Sequence, residues 1–350
     1  GMRGNIFAAL GSRLGSAFHL GTITRFSMKN RTIKNNIHSS LTLTILLSVF
    51  LGFLAKLLTM LFGLESISLF SFVMISFIGG MISGIVMLFT TFGISFLSYK
   101  RGWDPDNVTS PMITALGDFF TIPSLLLAAF LVVRLEGFVD LMALSLILMT
   151  IIYLAIIIWH KKFSSNRSYR AIIFQSLAVL LMAGSLDGIA GSFIEINIDK
   201  LISVPILLVL LPAFLEEGGN IGNILASRVS TKLHIGSIRP KLAMTHEVKK
   251  EIVNSMISAY MIFPAVGFLT FVIGSSVGIS GLDLTTMVII STASGMLLHL
   301  IIIFFTFFVS ILSYKYGFDP DNTTIPIMTS ATDIIGTITL LFVIHAMGIL

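Results

Sequence analysis

Two aspartates, Asp118 and Asp333, lie deep inside apolar stretches and end the same sequence motif. Residues 99–118 read YKRGWDPDNVTSPMITALGD, and residues 314–333 read YKYGFDPDNTTIPIMTSATD. Eleven of the twenty positions are identical without a gap. The spacing that takes Asp118 to Asp333 is called the repeat offset below. A carboxylate near the centre of a bilayer costs at least ~2.5–3.5 kcal/mol, and such groups nearly always line a polar interior. The repeated acid therefore indicates a functional site.

Neutral oxygen ligands accompany each aspartate and favour a hard cation as its partner. Thr114 and Thr329 lie four residues before the aspartates, on the same helix face. Two carboxylates facing each other would repel, and a divalent cation between them would neutralise both. Oxygen ligands without His or Cys suit Mg²⁺ or Ca²⁺. Asn5 and Asn223 are candidates for further ligands. The alternative is a structural pairing of each aspartate with an arginine, for which Arg13 and Arg228 are candidates.

Other acids extend this candidate cation site. Glu216 and Glu217 lie in the apolar segment LPAFLEEGGNIGN, where a proline and two glycines can open the helix and expose carbonyl groups. A role for both glutamates in lining the pathway is predicted. The two DPDN motifs contribute four more acids, for which helix capping and attraction of cations at the mouth of a pathway are compatible roles. These acids are Asp104, Asp106, Asp319 and Asp321.

The composition predicts an all-α polytopic membrane protein. Of the 350 residues, 55% are hydrophobic and only 11% are charged, against about 25% charged in soluble domains. The net charge of +5 is too small to indicate nucleic-acid binding, and the absence of cysteine excludes disulfides. Residues 4–20 resemble half of a membrane span. Full spans are predicted at 41–62, 67–98, 108–133, 138–159, 170–191, 201–230, 250–273, 285–313 and 323–348.

The loop charges predict the orientation of the chain in the cell membrane. Basic loops at 24–36, 99–101, 160–170, 228–250 and 314–315 alternate with neutral or acidic loops. The excess of Lys and Arg places the basic loops in the cytoplasm. The C-terminus is then expected to face outside.

The repeat extends over most of the chain. Residues 4–23 match 222–238, where Arg13, His19 and Gly21 recur at the repeat offset. Gly4 and Asn5 pair with Gly222 and Asn223 at a spacing larger by about one helical turn. We expect a first repeat at 1–134, a linker span at 138–160 and a second repeat at 168–350. Each complete repeat holds five helices in the same orientation, so about one and a half helices of the first repeat are expected to precede Gly1.

The doubled motif resembles the signature DPA-x-x-x-x-P-x-x-T-x-x-x-D of the MgtE-type magnesium transporters. It is closer still to the solute carriers related to MgtE, in which the first four residues read DPDN. The segment EEGGNIGNILASR resembles the GGNxG…R helix of that family. The resemblance implies a cation pathway where two five-helix units meet, here fused in one chain as a pseudo-dimer. It assigns the pore-site aspartate to Asp118 and Asp333, and the asparagine to Asn5 and Asn223.

The expected function is transport of a divalent cation, above all Mg²⁺, across the lipid bilayer. The transported ion is the only cofactor expected. No phosphate loop, nucleophile elbow or HExxH motif occurs, so no enzymatic activity is predicted. Two alternatives remain open at this point. One is an exchanger driven by Na⁺ or H⁺, and the other is a membrane cation sensor or scaffold that transports nothing.

Overall fold

A computed structural model describes residues 2–19, 21–23, 30–103, 105–135, 137–159, 167–279 and 281–349. These parts of the chain are helical and contain no β-strand. The prediction of an all-α polytopic membrane protein is confirmed. The helices are α1 (Met2–His19), α2 (Arg31–Leu61), α3 (Leu69–Lys100), α4 (Pro105–Arg134), α5 (Val139–Trp159), α6 (Arg167–Ile196), α7 (Ile198–Ser203), α8 (Ile206–His234), α9 (His246–Ser276), α10 (Leu284–Lys315) and α11 (Pro320–Ala346).

Eight of the described helices are long and apolar enough to cross a membrane. They are α2–α6 and α9–α11, whereas α1 and α8 are not among them. The predicted span at 201–230 is interrupted, because α7 ends at Ser203 and α8 begins at Ile206. Pro205 lies at this break and has no backbone N–H to donate to a continuous helix. The two helices with the candidate asparagines are thus the least lipid-like of the long helices.

Most helix ends follow from local sequence. Asn30, Ser68, Thr245 and Asp283 each accept a hydrogen bond from a backbone N–H in the first turn that they cap. Helices α4 and α11 both begin at the proline of DPDN, whose fixed φ suits the first helical position. Glycines with positive φ follow α1, α2 and α3, and recur at the repeat offset after α8, α9 and α10. They are Gly21, Gly63, Gly102, Gly236, Gly278 and Gly317.

The chain divides into two compact units, Gly1–Gly188 and Ile189–Leu350, called unit 1 and unit 2 below. In unit 1, α1 packs against α2, α3 and α4, and α3 packs against α2 and α4. In unit 2, α8 packs against α9, α10 and α11, and α10 packs against α9 and α11. The pattern of contacts among these four helices is therefore the same in the two units. The repeat boundaries at 134 and 168 stay a prediction from sequence similarity.

The outward-facing apolar side chains suit a lipid environment. Helix α5 has mostly exposed hydrophobic residues, and Trp159 at its end is 89% exposed. Helix α1 is the opposite, since its described side chains are buried along its length. Lipid can accept the apolar surface of α5, while the arginines and Asn5 of α1 require protein partners.

Candidate functional site

In unit 1, α1 and α4 meet at a contact made of glycine and threonine. A Cβ placed on Gly4 would lie 3.2 Å from Thr114 Cγ2, and one on Gly117 would lie 2.9 Å from Gly4 Cα. Asn5 is fully buried and Thr114 is 2% exposed. Asp118 follows one turn after Thr114 and is partly exposed. The close backbone approach therefore brings the helix of Asn5 beside the helix of Thr114 and Asp118.

In unit 2, α8 and α11 form the equivalent contact. Thr329 Oγ1 lies 3.1 Å from Asn223 Oδ1 and 3.1 Å from the Ile325 carbonyl oxygen, and its proton is donated towards both acceptors. Asn223 is fully buried and Thr329 is 5% exposed. Asp333 follows one turn later and is partly exposed. The structure therefore joins two of the predicted site residues directly and places the third on the same helix.

One set of helix contacts fits the same repeat offset throughout α1 and α8. Gly4 faces Thr114, and Gly219 faces Thr329, with its built Cβ 4.0 Å from Thr329 Cγ2. Gly222 instead faces Ile302 and Thr332. Under this offset Asn5 corresponds to Asn220, and the tripeptide Gly-Asn-Ile at 4–6 matches 219–221 without a gap. Thr332 lies at the repeat offset from Gly117, which also contacts Gly4, so the contacts fit Gly222 as well, and the pairing of Asn5 with Asn223 stays a prediction.

Asn220 is thus a candidate that sequence analysis missed, although the repeated tripeptide could have revealed it. Its side chain is 7% exposed and forms a hydrogen bond with Glu217. Its carboxamide oxygen is buried and has no hydrogen-bond partner among the described residues. Glu216 and Glu217, one turn earlier, are both partly exposed. A buried oxygen beside partly exposed acids can contribute to a cation site.

The DPDN acids are only partly described. Asp104 and the side chains of Asp106 and Asp321 lie outside the described residues. Asp319 immediately precedes α11, and its carboxylate lies 3.4 Å from His234 Nε2. This acid therefore has a protein partner at the entry to α11. The described residues contain no group of three or more His, Cys, Asp or Glu side chains that could hold a metal ion.

A buried arginine distinguishes unit 1 from unit 2. Arg3 is 5% exposed, and its Nη2 donates a hydrogen bond to Ser48 Oγ at 2.6 Å. The guanidinium fills space beside Gly80, where a Cβ would collide with it. At the positions that correspond to Ser48 and Gly80 in unit 2, Phe263 packs against Gly295 instead. The guanidinium of Arg3 in unit 1 thus occupies the place that the ring of Phe263 takes in unit 2.

The Arg3 guanidinium borders a cavity of 390 Å³ within unit 1. Ser76, Thr121 and Asp187 line the same cavity among mostly apolar side chains. Thr121 lies three residues after Asp118 on α4. Polar groups in a cavity of this size can be hydrated, so water has room beside the helix that carries Asp118.

In each unit an arginine links two neighbouring helices, α1 to α2 in unit 1 and α8 to α9 in unit 2. Arg13 Nε donates a hydrogen bond to Asn36 Oδ1 at 2.8 Å, linking α1 to α2. Arg228 Nε lies 3.0 Å from Glu251 Oε2, linking α8 to α9. The two pairs occupy corresponding positions of the repeat. Glu251 thus forms an ion pair with Arg228, the arginine that was the candidate for a structural pairing with Asp333.

The link in unit 2 is part of an ion-pair cluster of Arg228, Lys232, Glu247 and Glu251. Lys232 Nζ lies 2.9 Å from Glu251 Oε1 and also pairs with Glu247. Burial alone would lower the pKa of Lys232, but the two carboxylates outweigh it and raise the pKa above its ordinary value near 10.5. The stabilisation from Lys232 is therefore present at neutral pH and is lost only as the pH rises through the raised pKa.

Replacing Glu251 by alanine should destabilise the protein by about 2 kcal/mol, because Arg228 and Lys232 would lose the buried carboxylate that balances their charge. The value is below that of a fully buried pair because the Arg228 side chain is 29% exposed. Thermal unfolding in detergent would measure the loss as a lower Tm. Glu251→Gln is the matched control and should retain most stability, since Asn36 serves Arg13 as a neutral acceptor. Equal Tm values for Glu251→Ala and the wild type would contradict this assignment.

Comparison with known proteins adds independent information on this arrangement. The family model MgtE, described as a divalent cation transporter, matches residues 1–128 and 211–343. Solute carrier family 41 member 2 of Xenopus laevis is 26% identical over the whole chain, which spans 64% of that relative. Member 3 of Rattus norvegicus is 24% identical over 96% of the chain, which spans 75% of that relative. Member 2 of Homo sapiens is 26% identical over 99% of the chain, which spans 62% of that relative. No solved structure matches the chain.

Proposed function

Because the chain belongs to the MgtE family of divalent cation transporters, we propose that it carries divalent cations, and Mg²⁺ in particular, across a cell membrane. The observation that carries this proposal is the constellation of a buried asparagine, a buried threonine and an aspartate one turn later in each unit. All of these side chains offer oxygen, the ligand atom that Mg²⁺ prefers. Their apolar surroundings make a structural role without a cation costly.

The mechanism proposed here uses the carboxylates as fixed counter-charges for a partly hydrated ion. Mg²⁺ gives up its water reluctantly and usually keeps several water ligands. Asp118 and Asp333 would hold the ion near the middle of the bilayer, in a pathway shared by the two repeats of a single-chain pseudo-dimer. Thr114, Thr329 and the asparagines would then bind the ion's water or the ion itself. Glu216 and Glu217 supply negative charge along α8, and the DPDN acids attract cations at a pathway mouth.

The orientation predicted from loop charge completes the proposal. The basic loops, including the segment between α8 and α9, would face the cytoplasm, and the C-terminus after α11 would face outside. The DPDN motifs span the starts of α4 and α11 and follow the basic loops at 99–101 and 314–315, so their acids would lie at the cytoplasmic mouth. Protease protection of an epitope inserted after α11 in oriented vesicles would test this direction.

Purified protein in liposomes that enclose a Mg²⁺-sensitive dye provides the test of function. If the protein transports Mg²⁺, the dye signal should rise after external Mg²⁺ is added, well above the signal from protein-free liposomes. Persistence of the flux without Na⁺ and without a pH gradient would support conduction down the gradient, whereas dependence on either ion would support the exchanger. Mg²⁺ binding without any flux would contradict transport and favour the sensor or scaffold.

The constant repeat offset predicts that Asn5→Ala and Asn220→Ala have similar effects on transport. Each change removes a buried carboxamide oxygen near the proposed ion, and a loss of about 1.4 kcal/mol corresponds to a tenfold weaker apparent affinity. Concentration dependence of the liposome flux would measure it as a raised KM. Asn223→Ala is the matched comparison and should change KM less, because Asn223 already accepts a hydrogen bond from Thr329. A larger KM change for Asn223→Ala than for Asn220→Ala would refute this register.

A further inference from the structure

An apolar groove runs along the outside of unit 2, beside the loop that joins α8 to α9. The groove has a volume of 260 Å³, and its exposed surface is mostly apolar. Leu242 and Met244 of the loop are 65% and 68% exposed, and Phe304 of α10 is 70% exposed. The lining side chains used below come from the loop, α9 and α10: Leu242, Met244, Ile252, Leu300, Phe304 and Ile311.

The groove has the length of one half of a bilayer. Its lining on α10 extends from Leu300 to Ile311, which is about 16 Å along a helix. The hydrocarbon core of a bilayer is about 30 Å thick, so one leaflet is about 15 Å deep. Ile311 lies near the end of α10, and Leu300 lies near its middle. A lipid acyl chain that entered at the loop would therefore fill the groove to the middle of the membrane.

Positive charge is concentrated at the loop end of the groove. Lys241 directly precedes Leu242 and Arg239 lies three residues before it, and Lys249 and Lys250 follow in the first turns of α9. Within the part of the chain that the structure describes, none of these four forms an ion pair. The acids close to them in sequence, Glu247 and Glu251, are bound by Arg228 and Lys232 of α8 instead. The groove entrance therefore has an excess of positive charge.

We propose that this groove is a binding site for an anionic phospholipid. One acyl chain lies against Leu300, Phe304 and Ile311, and the phosphate is held at the entrance by Arg239 and Lys241. Clusters of basic residues directly beside a membrane helix attract anionic lipids, and a lipid chain covers the exposed apolar side chains of the loop. The site is separate from the cation site and does not depend on the proposed transport.

Native mass spectrometry of the purified protein with added dioleoyl phosphatidylglycerol tests the site. The wild type should bind this lipid more tightly than dioleoyl phosphatidylcholine. The double variant Arg239→Gln, Lys241→Gln should weaken phosphatidylglycerol binding by about 30-fold and leave phosphatidylcholine binding unchanged. The matched control is Arg134→Gln, Lys200→Gln, which removes the same charge elsewhere on exposed surface and should bind as the wild type does.

A second variant separates the groove from simple attraction of charge. Ala243→Trp narrows the groove without changing its charge and should also weaken phosphatidylglycerol binding. Unchanged binding in Ala243→Trp, or in the Arg239 and Lys241 double variant, would overturn the proposal. An equal loss in the control pair would overturn it too, because the attraction would then be a property of net charge alone.

Discussion

Replacing either Asp118 or Asp333 by asparagine is expected to lower Mg²⁺ flux by about 100-fold. Each change keeps the size of the side chain and removes one negative charge from the proposed ion site. A loss of about 3 kcal/mol in ion stabilisation is sufficient for this effect, and interactions between close charges at an effective dielectric constant of about 20 exceed that value. The liposome assay with enclosed dye measures the flux of each variant at equal protein density.

Asp140→Asn is the matched control for this pair. Asp140 lies in the first turn of α5, is exposed, and belongs to the predicted linker span. Its replacement removes the same charge and should leave the flux unchanged. Both aspartates are expected to be needed, since each supplies half of the charge that balances a divalent ion. Wild-type flux in both Asp118→Asn and Asp333→Asn would remove them from the site.

Replacing Gly117 by alanine is expected to abolish most transport, because α1 and α4 would be forced apart. The new Cβ would lie 2.9 Å from both Cα and N of Gly4, which are backbone atoms that cannot rotate away. Overpacking of this kind costs about 1–3 kcal/mol. The displaced α1 would carry Asn5 away from Thr114 and Asp118. The measurements are Mg²⁺ flux and the Tm in detergent, and both should fall.

Gly93→Ala provides the comparison for Gly117→Ala. Gly93 is an exposed residue within α3, and a Cβ there would meet no atom within 4 Å. Alanine favours a helix over glycine by about 1 kcal/mol, so Gly93→Ala should retain transport and equal or exceed the wild-type Tm. Gly117→Ala with full flux and an unchanged Tm would mean that the close contact of α1 and α4 has no role.

Local chemistry explains why much of the fold was predictable. The prolines of DPDN begin α4 and α11 because their φ is fixed in the helical range and they need no N–H partner there. The long apolar runs become membrane helices because a backbone in lipid must satisfy its own hydrogen bonds. The pairing of Asn223 with Thr329 joins two residues that the sequence pattern assigns to one site.

Features that depend on packing between distant segments were not predictable in the same way. In the sequence, Glu251 is one more charge at the start of the span predicted at 250–273, yet it is 1% exposed and binds Arg228 and Lys232. Arg3 is an ordinary residue in the sequence, and only the absence of a side chain at Gly80 gives its guanidinium space. The counterpart of Asn5 stays a prediction, because Gly-Asn occurs twice in GGNIGN and the helix of both copies contacts Thr329 or Thr332.

The most direct measurement of the proposed cation site is anomalous diffraction from crystals soaked in Mn²⁺, which binds oxygen ligands as Mg²⁺ does. If one cation is shared by the two repeats, we expect an anomalous peak between the carboxylates of Asp118 and Asp333. The carboxylates would contact the Mn²⁺ ion directly or through one layer of water. Crystals of Asp118→Asn should lose that peak. An Mn²⁺-soaked wild-type crystal with the two carboxylates far apart and no metal density at either would contradict the shared site.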